Sequence, residues 1–125
     1  MRVLIVETNQ DLAGVWSRSL ERQGVDVIRA HDEDAAIRVL DQTRVDVIVM
    51  NVHLKDGNAL ALADYAEFRT PHARVIFVTN SSFFSDGSIF NLARNAHAFI
   101  ADQTPVEDLT ALVEFHGAHA SNAAE

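Results

Sequence analysis

The chain has 125 residues, with 18 acids against 10 bases and a net charge of −8; a length of this order predicts one domain with one properly buried core. Its 48% hydrophobic and 22% charged residues strike a globular balance that argues against disorder, and the acidic excess disfavours non-specific nucleic-acid binding, which needs cations to displace phosphate counterions. With no cysteine there is no disulfide, thiolate metal site or thiol nucleophile, and with no apolar run near the ~18 residues of a membrane span and no signal-peptide pattern a cytoplasmic protein is expected.

Val3–Val6 is a short, unbroken apolar run, the pattern of a buried parallel strand. Asn9 then caps a helix in which Leu12, Val15, Trp16 and Leu20 recur at helical spacing, and Gly24 stops it. Val25–Ile28 is the second strand. Ala36, Ile37 and Leu40 mark a second helix, with Asp32, Glu33 and Asp34 at its positive N-terminal end. Val45–Met50 is the third strand. Ala59, Leu62, Ala63 and Ala66 mark a third helix, which starts near Asn58 and ends before Pro71. Val75–Val78 is the fourth strand. Ile89, Phe90 and Leu92 lie in a fourth helix, capped by Ser85 or Asp86 and ended by Asn95. Ala98–Ile100 is the fifth strand. Thr104-Pro105-Val106-Glu107 opens the fifth helix with a capping box and a proline at the first helical position. Val106, Leu109, Leu112 and Val113 form its apolar stripe, and Gly117 ends it. Residues 1–117 are thus read as the domain and 118–125 as a frayed tail.

Strict alternation of strand and helix predicts an α/β three-layer sandwich. The expected topology is flavodoxin-like (βα)5, a parallel sheet in the order 2-1-3-4-5. In such a sheet the site lies outside the carboxyl ends of the strands, where the first and third strands diverge. The residues delivered there are Glu7, Thr8 and Asn9 after the first strand and Asn51 with the loop Val52–Gly57 after the third. Thr79 and Asn80 follow the fourth strand, and Asp102 and Gln103 the fifth.

These positions carry a resemblance. Val3–Glu7 resembles the first strand of a receiver domain leading into an acidic pair. Asp46–Asn51 resembles the third strand leading into the phosphorylated aspartate, and Leu54-Lys55-Asp56-Gly57 the turn after it. Val75–Thr79 resembles the fourth strand with its switch threonine, and Asn95–Ile100 the segment that carries the switch aromatic. The chain from Arg2 to about His116 is similar to the receiver domains of two-component response regulators. That resemblance implies a phosphorelay module whose acceptor carboxylate works with a divalent cation and a lysine. It also implies a switch pair at Thr79 and Phe99.

The chemistry departs from the family. Asn51 stands at the acceptor position, and a neutral carboxamide cannot form an acyl phosphate. Thr8 leaves Glu7 as the single acid of the pair. Asp102 stands where the family has its lysine, and the one lysine of the chain, Lys55, is in another loop. The resulting reading is a pseudo-receiver, not an enzyme, that acts by protein–protein contact. The degenerate pocket comprises Glu7, Thr8, Asn51, Thr79 and Asp102. Magnesium binding is expected to be weak or absent. Glu7 and Asp102, expected on neighbouring strand ends, are the carboxylates left for a cation, and their repulsion is expected to cost stability. The alternatives are a cation- or small-molecule-binding regulator that uses the altered pocket, and a receiver phosphorylated elsewhere, at Asp56. Partners are a kinase, a regulator or a second copy. By resemblance the interface is the face of the fourth helix, fifth strand and fifth helix, with Ile89, Arg94, Phe99 and Asp108. Ser81-Ser82-Phe83-Phe84-Ser85 adds a candidate contact surface or pocket lid.

Overall fold

A computed structural model describes residues 1–54, 57–79 and 96–123. The sequence-predicted fourth helix, with Ile89 and Arg94, lies outside the described residues, as do Lys55, Asp56, Asn80 and the segment 81–85.

The described strands are β1 (Arg2–Val6), β2 (Asp26–Ala30), β3 (Val47–Asn51), β4 (Arg74–Thr79) and β5 (Ala96–Ala101). They form one parallel sheet in the order β2-β1-β3-β4-β5, as the alternation predicts. The helices are α1 (Gln10–Arg22), α2 (Glu33–Gln42), α3 (Ala59–Arg69) and α4 (Val106–Ala123), the last being the helix expected fifth in the chain.

The apolar runs are unbroken because both faces of the sheet are covered. Along a strand, alternate side chains point to opposite faces. Leu4, Val6, Ile48, Met50, Val75 and Phe77 accordingly pack against Leu40 of α2 and Leu62 and Ala66 of α3. Val3, Ile5, Val47, Val49, Ile76 and Val78 pack on the other face, against Trp16 and Leu20 of α1 and Leu109 and Val113 of α4. Each such side chain, fully buried, contributes about 1.5–3 kcal/mol, so the layers fix the sheet that presents the strand ends.

The helix starts are closed by side chains. Asn9 accepts from Asp11 N and Leu12 N, Asp32 from Ala35 N, and Asn58 from Ala61 N. Each satisfies backbone donors that a helix start leaves orphaned. Gly24, just beyond the α1 C-cap Gln23, takes φ +82°, a conformation that favours glycine.

The last helix corrects the sequence reading at both ends. It begins at Val106, after Pro105, whose carbonyl accepts from Asp108 N and Leu109 N. It does not stop at Gly117 but continues to Ala123, so residues 118–123 are helical and the boundary drawn at 117 is not where the element ends. Gly117 has a packing reason instead. A Cβ there would lie 1.7 Å from Met1 Sδ, so the glycine lets the N-terminal residue lie against α4. Among the described residues no helix is long and apolar enough to cross a membrane.

Candidate functional site

At the carboxyl ends of the strands an open cleft of about 790 Å³ is lined by Glu7, Thr8 and Asn9, by Asn51 to Leu54, and by Leu12, Gly57 and Asp102. The sheet order builds it. β1 and β3 are neighbours paired Val6 to Met50, so the residues that follow them meet across the divide between α1 and α3.

Glu7 is only 2% exposed. Its backbone N–H donates to Ala30 O, which extends the β1–β2 ladder by one residue. A carboxyl group buried this deeply needs a donor, and Asn51 supplies it: Nδ2 donates to Glu7 Oε1 at 2.9 Å. The amide orientation follows from its other end. His53 N–H donates to Asn51 Oδ1 at 2.8 Å. A backbone N–H can only donate, so Oδ1 must face it and the amino group must face Glu7. The gap between the two side chains is therefore closed by an N–H···O bond.

This donor set does not fit a magnesium ion, which wants several oxygens in near-octahedral array. The group facing Glu7 is a donor, the Asn51 oxygen already accepts, and Thr8 brings no carboxylate. Among the described residues, no group of three or more His, Asp or Glu side chains is placed to hold a metal.

Asp102 lines the same cleft but does not sit on a strand end next to Glu7. β3 and β4 stand between β1 and β5, which corrects the expected neighbour relation. Its side chain is exposed, and its backbone N–H donates to Thr79 O at 2.9 Å. Thr79 is 1% exposed, inside the β4 end, and its hydroxyl has no hydrogen-bond partner among the described residues. Phe99 is half-buried on β5, its ring stacked on Phe77 with centroids 5.2 Å apart and planes 15° from parallel. Asp108 is exposed on α4, whereas Ile89, Arg94 and Asp56 lie outside the described residues.

One component had no signal in the sequence. Gln10, the first residue of α1, donates through Nε2 to Glu7 O at 3.2 Å and Thr8 O at 3.4 Å. Arg29 Nη2 in turn donates to Gln10 O and Gln10 Oε1, each at 3.1 Å. The loop that carries Glu7 is thus tied to β2. Neither contact shows in periodicity: the first is a local side-chain bond back to the loop, and the second depends on where β2 lies relative to α1.

Comparison with known proteins agrees with this architecture. A model of the response regulator receiver domain family matches residues 3–114. The transcriptional regulatory protein TrcR of Mycobacterium tuberculosis is 26% identical over 111 residues, 89% of this chain and 43% of its own length, so the chain spans under half of that curated relative. A CheY-like receiver domain protein from Methanospirillum hungatei JF-1 superimposes with a TM-score of 0.87 at 20% identity, covering 98% of this chain and 97% of its own. A Burkholderia pseudomallei response regulator, solved with a phosphorylated aspartic acid, calcium ion and citrate, has a TM-score of 0.78 at 22% identity, covering 98% of this chain and 72% of its own.

Proposed function

Because the chain belongs to the response regulator receiver domain family, we propose that it is a two-component signalling module that works by protein–protein contact and takes no phosphoryl group at Asn51. An acceptor aspartate attacks as an anion. At Asn51 the oxygen is a neutral amide oxygen held by His53 N–H, and the nitrogen is held by Glu7. That pair of hydrogen bonds carries the proposal. Phosphoryl transfer also needs positive charge around the moving group. Here Asp102 brings negative charge to the cleft, and Thr8 leaves the acidic pair half-filled. The module has no catalytic role and works in the cytoplasm. Its partner is a kinase, a regulator or a second copy, met through the face of β5 and α4 that bears Phe99 and Asp108.

Intact mass after incubation with acetyl phosphate and magnesium tests this. The expected spectrum shows no added phosphate. An adduct on a cleft residue overturns the proposal, and one mapped to Asp56 assigns the chain to the phosphorylatable alternative. Asn51→Asp alone is expected to gain little labelling. Thr8→Asp, Asn51→Asp and Asp102→Lys together are expected to gain far more, because the nucleophile, the cation site and the compensating charge act as a unit.

A further inference from the structure

Gly14 lies buried in the middle of α1. Glycine is a costly residue in a helix interior, since it gives up more backbone freedom than alanine. Conformation gives no reason for it, because the only positive-φ glycine among the described residues is Gly24. A Cβ there would meet Arg18 Nη1 at 3.2 Å, a close approach to the end of a flexible side chain, and Arg18 Cζ and Arg29 Nη1 at 3.9 Å, both ordinary contact distances. The position is thus flanked by two guanidinium groups, one from α1 and one from the edge strand β2.

Neither arginine meets a carboxylate among the described residues, although the chain has 18 acids. Arg2, Arg44 and Arg69 do, each beside an aspartate. Arg29 is oriented by neutral acceptors alone, the carbonyl and side-chain oxygen of Gln10. Two exposed like charges thus flank one position of α1, neither in an ion pair among the described residues, on a molecule of net charge −8.

We propose that Arg18 and Arg29, flanking Gly14 on the α1–β2 edge, form a docking subsite for an acidic segment of a partner protein. This rests on the reading of the chain as a contact module. The planar guanidinium fork matches carboxylates in bidentate geometry, and two forks side by side match a run of acidic side chains. Charge also decides the kind of occupant. The net charge of −8 opposes any anion on approach, so binding favours an occupant that sets several carboxylates against both forks at once, and at physiological salt the field of the pair is screened within about 8 Å. The pair therefore acts at contact range, on carboxylates that a protein surface brings there.

The test uses a fluorescein-labelled hexaglutamate peptide, with hexaglutamine as control, followed by anisotropy and by the arginine Nε–Hε resonances of the ¹⁵N-labelled chain. Arg18 and Arg29 are expected to shift ahead of the exposed Arg22 and Arg38. The double variant Arg18→Ala, Arg29→Ala is expected to lose roughly tenfold or more in affinity. Gly14→Ala, whose methyl moves only the end of the flexible Arg18 side chain, is expected to hold or raise Tm and to leave peptide binding within about twofold. Shifts spread evenly over all arginines, or undiminished binding by the double variant, overturn the proposal. So does inorganic phosphate that saturates the same two resonances and displaces the peptide, which assigns the pair to a free oxyanion. No phosphodonor is present, so labelling at the cleft would refute the non-phosphorylated reading without altering this result.

Discussion

Asn51→Asp would set a second carboxyl group against the buried Glu7, where an N–H now donates at 2.9 Å. A lost hydrogen bond to a buried acceptor, with like charge added, is expected to cost about 1–3 kcal/mol. Urea unfolding followed by the single tryptophan, Trp16, reads this directly, since that residue is buried in α1. Magnesium or calcium is expected to recover part of the loss in the variant and to leave the parent unchanged; an unmoved midpoint in the variant would show that the bond has no net worth. At Thr79 the sign reverses. Its buried hydroxyl lacks a partner among the described residues, so Thr79→Val is expected to be neutral or stabilising by up to about 1 kcal/mol, read by the same unfolding curve. Tyr65, the only tyrosine, donates its hydroxyl to Asp41, and this hydrogen bond raises its pKa above the usual 10. A raised value favours the neutral phenol in the folded state. The stabilisation is therefore present below pH ~10 and lost as pH climbs through the folded value. Ultraviolet titration should find a late phenolate midpoint that Asp41→Asn moves back towards 10. Of these residues the sequence placed Asn51 and Thr79, because each closes an apolar run. It did not reveal the bond to Glu7, which depends on burial and on an amide orientation that only the His53 N–H imposes.

At the scale of elements, capping decided what was legible. Asn9, Asp32 and Asn58 sit at helix starts in the sequence and accept backbone N–H groups there in the structure. Asn9→Ala is expected to cost about 1 kcal/mol by freeing the donors of Asp11 and Leu12, with urea unfolding as the measure. The strands were equally plain, because a buried parallel strand carries apolar residues on both faces. Gly117 misled for a physical reason. A glycine after an apolar stripe has the look of a helix stop, yet here it answers to Met1, the far end of the chain. Gly14 gave no signal either, since the side chains beside it, Arg18 one turn on and Arg29 a strand away, take their places only in the folded chain. At Gly117 the glycine served close approach rather than backbone freedom, and close approach is a tertiary fact.

For the molecule as a whole, alternation and right-handed crossovers left the order 2-1-3-4-5 as the favoured sheet, and that order placed Glu7 opposite Asn51. It also ruled out the adjacency assumed for Glu7 and Asp102, whose strands have two others between them although both residues line one cleft. Asp102→Asn is accordingly expected to change stability by no more than about 0.5 kcal/mol, as for an ordinary exposed site, and a larger shift in thermal unfolding would reveal a partner for its carboxylate. The contact between Met1 and Gly117 bears on chain connectivity. With residue 1 against the last helix, the order in which the ribosome joins the elements is not essential to the architecture. From Gly117 to Ala123 the helix rises only about 9 Å, so a short glycine–serine bridge can return to Met1. A circular permutant opened in the exposed turn between Gln23 and Gly24 should then fold to the same sheet, with α1 as its final element and a stability loss of about 1–2 kcal/mol.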